Sequence, residues 1–279
     1  ENTFSNSING ISAINASLWL RNNHFQNIPR ADVLIFGDDE CNDRSLEVGN
    51  GSNGGANLFE TSANGIISVG EVNLNIHWNK NNNNGFRGIA NESIAVFNNY
   101  TKKIEVTDNE ISQFNIGVLG FDIGRDVTLN ISSNHIFDPA VVTGQNFEGA
   151  AVTIQNPIHY KSNAPKNITF NTIEDARIGI HYMNLDGINA SDNSINFNLT
   201  ALPTDPYTGI WSMRNTGSNI MRNTITQNTY NAGYADLLKG IDLTNSSRTF
   251  LGCNHVINMG WGMYFQDDCN GAQLHINNM

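Results

Sequence analysis

The sequence predicts an all-β solenoid whose coils each contain three short strands, and three observations predict it. First, a six-residue phrase recurs: an apolar residue, two spacers, an Asn, one spacer and a second apolar residue. It reads Leu20…Asn23…Phe25, Val106…Asn109…Ile111, Ile131…Asn134…Ile136 and Ile168…Asn171…Ile173. It continues with Ala190…Asn193…Ile195, Ile220…Asn223…Ile225, Leu251…Asn254…Val256 and Leu274…Asn277…Met279. The anchors step by about 22 to 37 residues, the range of stacked repeats. Second, a Gly opens an alternating apolar segment between phrases, as in Gly117-Val118, Gly179-Ile180, Gly209-Ile210, Gly240-Ile241 and Gly262-Met263. Third, apolar residues alternate at period two in short segments, which selects strands over helices.

Each coil therefore reads as a strand ending at the Asn phrase, a turn, the Gly-led strand, a second turn and the strand that reaches the next Asn. Asn and the 25 Gly are turn residues that tolerate left-handed backbone, as three corners per coil require. At one corner the Asn is expected to adopt that backbone itself. Its amide would bond to the coils above and below and satisfy polar groups that the corner would otherwise bury. Such a ladder is structural, so Asn109, Asn134, Asn171, Asn193, Asn223 and Asn254 are assigned to the fold and not to a ligand.

Along the chain, Asn2-x-Phe4 is the second half of the phrase, and residues 1–279 read as one solenoid segment whose two ends fall in mid-coil. Residues 37–64 contain Gly37-Asp38-Asp39-Glu40-Cys41-Asn42-Asp43 and a Gly/Asn-rich run, and are expected to form a long projecting loop. Around 76–85 the anchor degenerates to Asn79 followed by an Asn tract. Shorter insertions fall at 138–149, 157–167, 199–208 and 228–239.

Composition narrows the partners. The net charge is −11 and the pI near 4.9, which argue against nucleic acid and against insertion into or adsorption on an anionic membrane. No apolar run is long enough to span a bilayer. Cys41, Cys253 and Cys269 form no metal-binding spacing; Cys253 and Cys269 read either as one disulfide between neighbouring coils or as buried thiols.

The Asn corner and the Gly-Ile strand together resemble those of the right-handed parallel β-helix proteins, over nearly the whole chain. That superfamily includes pectate-lyase-like polysaccharide lyases, glycoside hydrolases, epimerases, surface adhesins and phage tailspikes. The resemblance implies a right-handed parallel β-helix, an all-β fold with an Asn ladder. It leaves activity open, because function lives in a site placed on the fold.

Lyases of this fold use a Lys or Arg base and calcium held by acidic residues. The acidic run Asp38, Asp39, Glu40 and Asp43, with Glu47 nearby, is the only dense cluster, and it lacks the regular spacing of a calcium loop. Calcium at Asp38, Asp39 and Asp43 is kept as a weak candidate beside a solvated loop, and no other cofactor is expected. Polygalacturonase-type hydrolases carry Gly-His-Gly and Arg-Ile-Lys, both missing here. Asp267-Asp268 follows a strand and reads as a turn.

A further signal comes from placing the Gly-led strands in register. If the residue after Gly points inward, the next points to solvent. On successive coils these outward residues are Leu119, Thr153, His181, Trp211, Asp242 and Tyr264, followed two positions on by Phe121, Gln155, Met183, Met213, Thr244 and Gln266. Aromatic rings flanked by hydrogen-bonding groups suit sugars, so His181, Trp211, Asp242 and Tyr264 form the candidate glycan site. The competing reading has the insertions folding over this face and burying it. For catalysis, His181 or Tyr264 would be acid or base with Asp242 as partner, and a hydrolase would pair Asp242 with Asp267 or Asp268. The sequence thus predicts an extracellular or cell-surface module that binds a polysaccharide or surface glycan, an adhesin or stalk segment. Flanking domains or stacked chains would cover its ends. A lyase or hydrolase and a filament-forming subunit remain the alternatives.

Overall fold

A computed structural model describes residues 2–38, 44–49, 55–79, 86–88, 94–99, 103–123, 126–138, 149–160, 163–199, 203–229 and 232–279. Three parallel sheets of ten strands each run along the described chain. The first sheet extends from Asn2–Ser5 to His255–Ile257, the second from Asn9–Ile14 to Trp261–Gln266, and the third from Leu18–Leu20 to Gln273–His275. The chain visits the sheets in rotation, so each strand pairs with the strand one coil on. Among the described residues there is no α-helix, and the helical content is one 3-10 turn, Ala232–Leu237. The expected parallel β-helix with three strands per coil is what forms.

Register turns the sequence phrase into columns of like side chains. In the first sheet the inward column begins Phe4, Phe25, Phe59 and Phe86, whose rings stack at 4.9, 5.1 and 4.2 Å. It continues as Ile111, Ile136, Ile173, Ile195 and Ile225. The second sheet contributes Val118, Val152, Ile180, Ile210 and Ile241, and the third Val106, Ile131, Ile168, Ala190 and Ile220. All of these from Phe25 onward are buried, and together they form one continuous core. One inward position departs from the pattern. Ser68 and Asn98 adjoin in the second sheet, fully buried, and neither the Ser68 hydroxyl nor either Asn98 amide atom has a hydrogen-bond partner among the described residues.

The polar counterpart of the core is a ladder of eleven Asn from Asn2 to Asn277. The side-chain amide of each donates to the side-chain oxygen of the next at 2.9–3.1 Å. Asn171 shows the full bonding. Its amide donates to Asn193 Oδ1 and to the Ile131 carbonyl, each at 3.0 Å. Its oxygen accepts from the Asn134 backbone N–H at 3.1 Å and from the Asn134 amide at 3.0 Å. Buried at 1% exposure, the side chain leaves no bonding capacity unused.

Two expectations need correction. The ladder Asn does not itself take the left-handed backbone; at nine corners the residue before it does. Asn22, Trp78, Asp108, Ser133, Phe170, Asp192, Arg222, Cys253 and Ile276 all have φ between 43° and 60°. The Asn must aim its side chain into the coil, so the reversal is displaced one residue back, even onto residues such as Phe170 and Ile276 for which it costs about 1–2 kcal/mol. The long loop expected over 37–64 is also interrupted, because Ser45–Val48 belongs to the third sheet and Leu58–Ser62 to the first. Asn57 is a ladder member there, bonded to Asn23 and Asn79. An insertion separates it from Val48, the apolar partner that would have completed its phrase. Asn79, the degenerate anchor, is in the ladder too.

The Gly that opens seven of the ten second-sheet strands is explained by close approach. A Cβ on Gly209 would lie 2.6 Å from the Gly240 carbonyl oxygen and 2.6 Å from Ile225 Cγ2. On Gly179 it would lie 2.5 Å from the Gly209 oxygen. The first and second sheets meet here with room for a hydrogen atom only. Gly209→Ala should therefore lower stability by about 1–3 kcal/mol, the usual cost of overpacking, as read by denaturant unfolding. Unchanged unfolding would mean that this corner is looser than the geometry shows.

Candidate functional site

The outer side of the second sheet follows from the alternation that builds its inner side. Because Ile180, Ile210 and Ile241 face the core, the residues after them face away from it. Register aligns Leu119, Thr153, His181, Trp211, Asp242 and Tyr264 on successive coils. The four candidate site residues are thus brought together as expected, on adjacent coils. Access to solvent differs from the expectation. Thr153 and His181 are fully buried and Asp242 is 4% exposed, whereas Trp211 and Tyr264 are half-buried. His181 and Asp242 therefore do not present open solvent-facing groups. Part of the cover is the Trp211 ring, whose centroid lies 4.8 Å from that of His181. The insertions at 138–149, 199–208 and 228–239 also lead directly into the second-sheet strands Ala150–Tyr160, Tyr207–Met213 and Leu238–Thr244.

Electrostatically the site is closed on itself. Lys239 Nζ donates to Asp242 Oδ2 at 2.6 Å, and the Thr244 hydroxyl donates to Asp242 Oδ1 at 3.1 Å. Trp211 Nε1 points to the Thr244 hydroxyl at 3.4 Å. The same Lys239 ammonium sits 4.0 Å over the Tyr264 ring, an attractive position for a cation. Trp261 packs edge-on against Tyr264, with centroids 5.6 Å apart, and is 45% exposed. Sequence reasoning missed Lys239 and Trp261. Their place in the Gly-led strands is a signal that could have found them, since the residue before Gly240 pairs in register with Trp261.

Burial pushes the His181 imidazole down to a pKa of about 3, so it is neutral at ordinary pH. An acid role for it is disfavoured, and the Asp242 carboxylate is engaged by Lys239 and Thr244. Asp267 and Asp268 are exposed and sit at the corner past the end of the sheet. Asp267 has a left-handed φ of 60° and accepts from the Asn245 amide at 3.2 Å, and Asp268 accepts from the Asn270 N–H at 3.2 Å. These bonds are those of a turn.

Of the calcium candidates, Asp39 and Asp43 lie outside the described residues, as does Cys41. Asp38 pairs with Arg44, whose Nη2 lies 2.9 Å from Oδ1 and whose Nη1 donates to the Asp38 carbonyl at 3.0 Å. Among the described residues no group of three or more His, Cys, Asp or Glu is placed to hold a metal ion. Cys253 is a free, exposed thiol at a ladder corner, and Cys269 is free with its sulfur 3.3 Å from the Leu243 carbonyl oxygen. Neither the disulfide nor a buried Cys253 is found.

Comparison with known proteins adds no name to this geometry: no family model matches the chain, and neither the curated proteins nor the solved structures give a significant match.

The burial of neutral His181 has a consequence in acid. Its folded pKa is depressed, so below the ordinary value of 6.5 the unfolded chain binds the proton and the folded chain does not. Stability should therefore fall as pH drops from 6.5 towards 3. The contribution between pH 6.5 and 5 should be about 2 kcal/mol. His181→Gln should lose that part of the pH dependence in denaturant titrations at the two pH values. An identical slope in wild type and variant would show that His181 is hydrated in the fold.

Proposed function

We propose that this chain is a carbohydrate-binding β-helix module of a secreted or cell-surface protein, an adhesin or stalk segment related in architecture to the pectate-lyase-like superfamily. Binding takes place on the outer face of the second sheet, towards the coils that carry Trp211 and Tyr264. The observation that carries this reading is a set of half-open rings, Trp211, Tyr264 and Trp261, around the Lys239–Asp242–Thr244 network. Rings supply the stacking surface for the apolar faces of sugars, and the fixed polar groups supply hydrogen bonds to hydroxyls.

The same observation favours binding over turnover. A glycosidase needs two carboxylates across the scissile bond, one of them protonated or poised as a base. Asp242 is engaged by Lys239 and Thr244, and the bonds of Asp267 and Asp268 run to Asn245 and Asn270.

Trp211→Ala should weaken retention on the cognate glycan by about 1–3 kcal/mol, roughly 5- to 150-fold, with little loss of thermal stability because the ring lies outside the core. Affinity electrophoresis against neutral and acidic polysaccharides reads the first quantity and calorimetry the second. Undiminished retention by the variant, or release of reducing or unsaturated ends by the wild type, would contradict the proposal.

A further inference from the structure

The second sheet carries another outer row, two residues further along each strand, and it differs in kind from the row that holds the candidate site. By register it runs from Ile14 and Phe36 through Phe121, Gln155, Met183 and Met213 to Gln266, across all ten coils. None of its ten positions is ionisable, in a chain with 26 Asp and Glu and 15 Lys and Arg. The two rows also differ in access. In the first, Thr153 and His181 are fully buried and interrupt the face. In the second, on the same coils, Gln155 and Met183 remain half-open, with Phe121 39% exposed on one side and Met213 half-open on the other. From Phe121 to Met213 an uncharged path therefore runs parallel to the solenoid axis, beside Trp211, and it ends at Thr244, which is 8% exposed.

We propose that this row binds an uncharged glycan chain lying along the axis, a deepening that rests on the carbohydrate-binding reading above. Apolar side chains, Phe121, Met183 and Met213, are spaced by amides such as Gln155, the mixture that the alternating CH faces and hydroxyls of a neutral sugar chain require. Successive positions are about 4.8 Å apart, so the path from Phe121 to Met213 covers about 14 Å, several sugar rings. Charge decides the class of polymer. Two ionisable residues directly follow the row on these coils, Asp122 after Phe121 and Arg214 after Met213, and their charges offset; Lys239 is paired with Asp242, and the chain as a whole carries −11. A uronate or sulfated chain would meet net repulsion along this row.

The test uses calorimetry with neutral gluco-, manno- and chito-oligosaccharides, as disaccharides and hexasaccharides, and with polygalacturonate and alginate. A hexasaccharide of one neutral series should bind at least tenfold more tightly than its disaccharide, with little change on adding salt. Phe121→Ala should reduce hexasaccharide affinity at least fivefold and leave the disaccharide unaffected, and Gln155→Ala should act in the same direction if Phe121→Ala proves unstable. Salt-sensitive preference for a polyuronate would overturn the inference, as would equal affinity for the two lengths. Disaccharide binding that depends on Trp211 but neither on length nor on Phe121 would remove this inference alone. Failure to bind any glycan would remove it together with the reading on which it rests.

Discussion

The structure depends on keeping one amide per coil buried and fully bonded. A solenoid corner that turns inward must place backbone N–H and carbonyl groups where water cannot reach them, and each unmade bond there costs about 1–3 kcal/mol. The Asn ladder meets this demand with a single residue type. Asn alone among side chains of its length offers a carbonyl that accepts twice and an NH2 that donates twice. In Asn171 all four are used, two towards the preceding coil's Asn134 and one each to Asn193 and Ile131. A ladder in which every step is the same bond also fixes register, because slipping by one residue would turn the inward columns outward. The left-handed residue before nine of the ladder Asn, tolerated even at Trp78 and Phe170, shows that this bonding outweighs local backbone preference.

Register, once fixed, makes the surface as ordered as the core. Gly209 and Gly179 leave only the width of a hydrogen atom between the first and second sheets, and the residue after the inward Ile is then held at one height on every coil. The outer rows of the second sheet are products of this constraint. They place Trp211, Asp242 and Tyr264 on successive strands without any local structure of their own. A rigid ruler of this kind suits recognition of a repeating polymer, whose groups also recur at a fixed interval.

The fold and its columns were legible in the sequence because they repeat. Leu251…Asn254…Val256 announces its own place in the ladder and in two core columns. Asn57 was not legible, since an insertion removed its apolar partner from the phrase and left a stretch that reads as loop. The site was legible only in part. Period two says which side of the sheet a residue takes, and it placed His181 and Asp242 correctly on the outer side. It does not say what lies over them. His181 packs against the Trp211 ring of the next coil, and the Asp242 carboxylate is paired with Lys239 of its own strand, contacts that period two does not report. Inward Asn98, in a column otherwise built from small or apolar residues, likewise carries no sequence signature that separates it from a ladder Asn.

Backbone hydrogen exchange on Asn171→Ala tests the central claim most directly. The Asn134 N–H donates to the Asn171 side-chain oxygen, so it reports the ladder bond itself. Removing that oxygen should speed exchange of the Asn134 amide by about two orders of magnitude, corresponding to on the order of 3 kcal/mol for the orphaned buried groups, and the loss should extend to the neighbouring coils. Protection of Asn134 equal to that in the wild type would contradict the account, since the corner would then be held by the apolar columns alone.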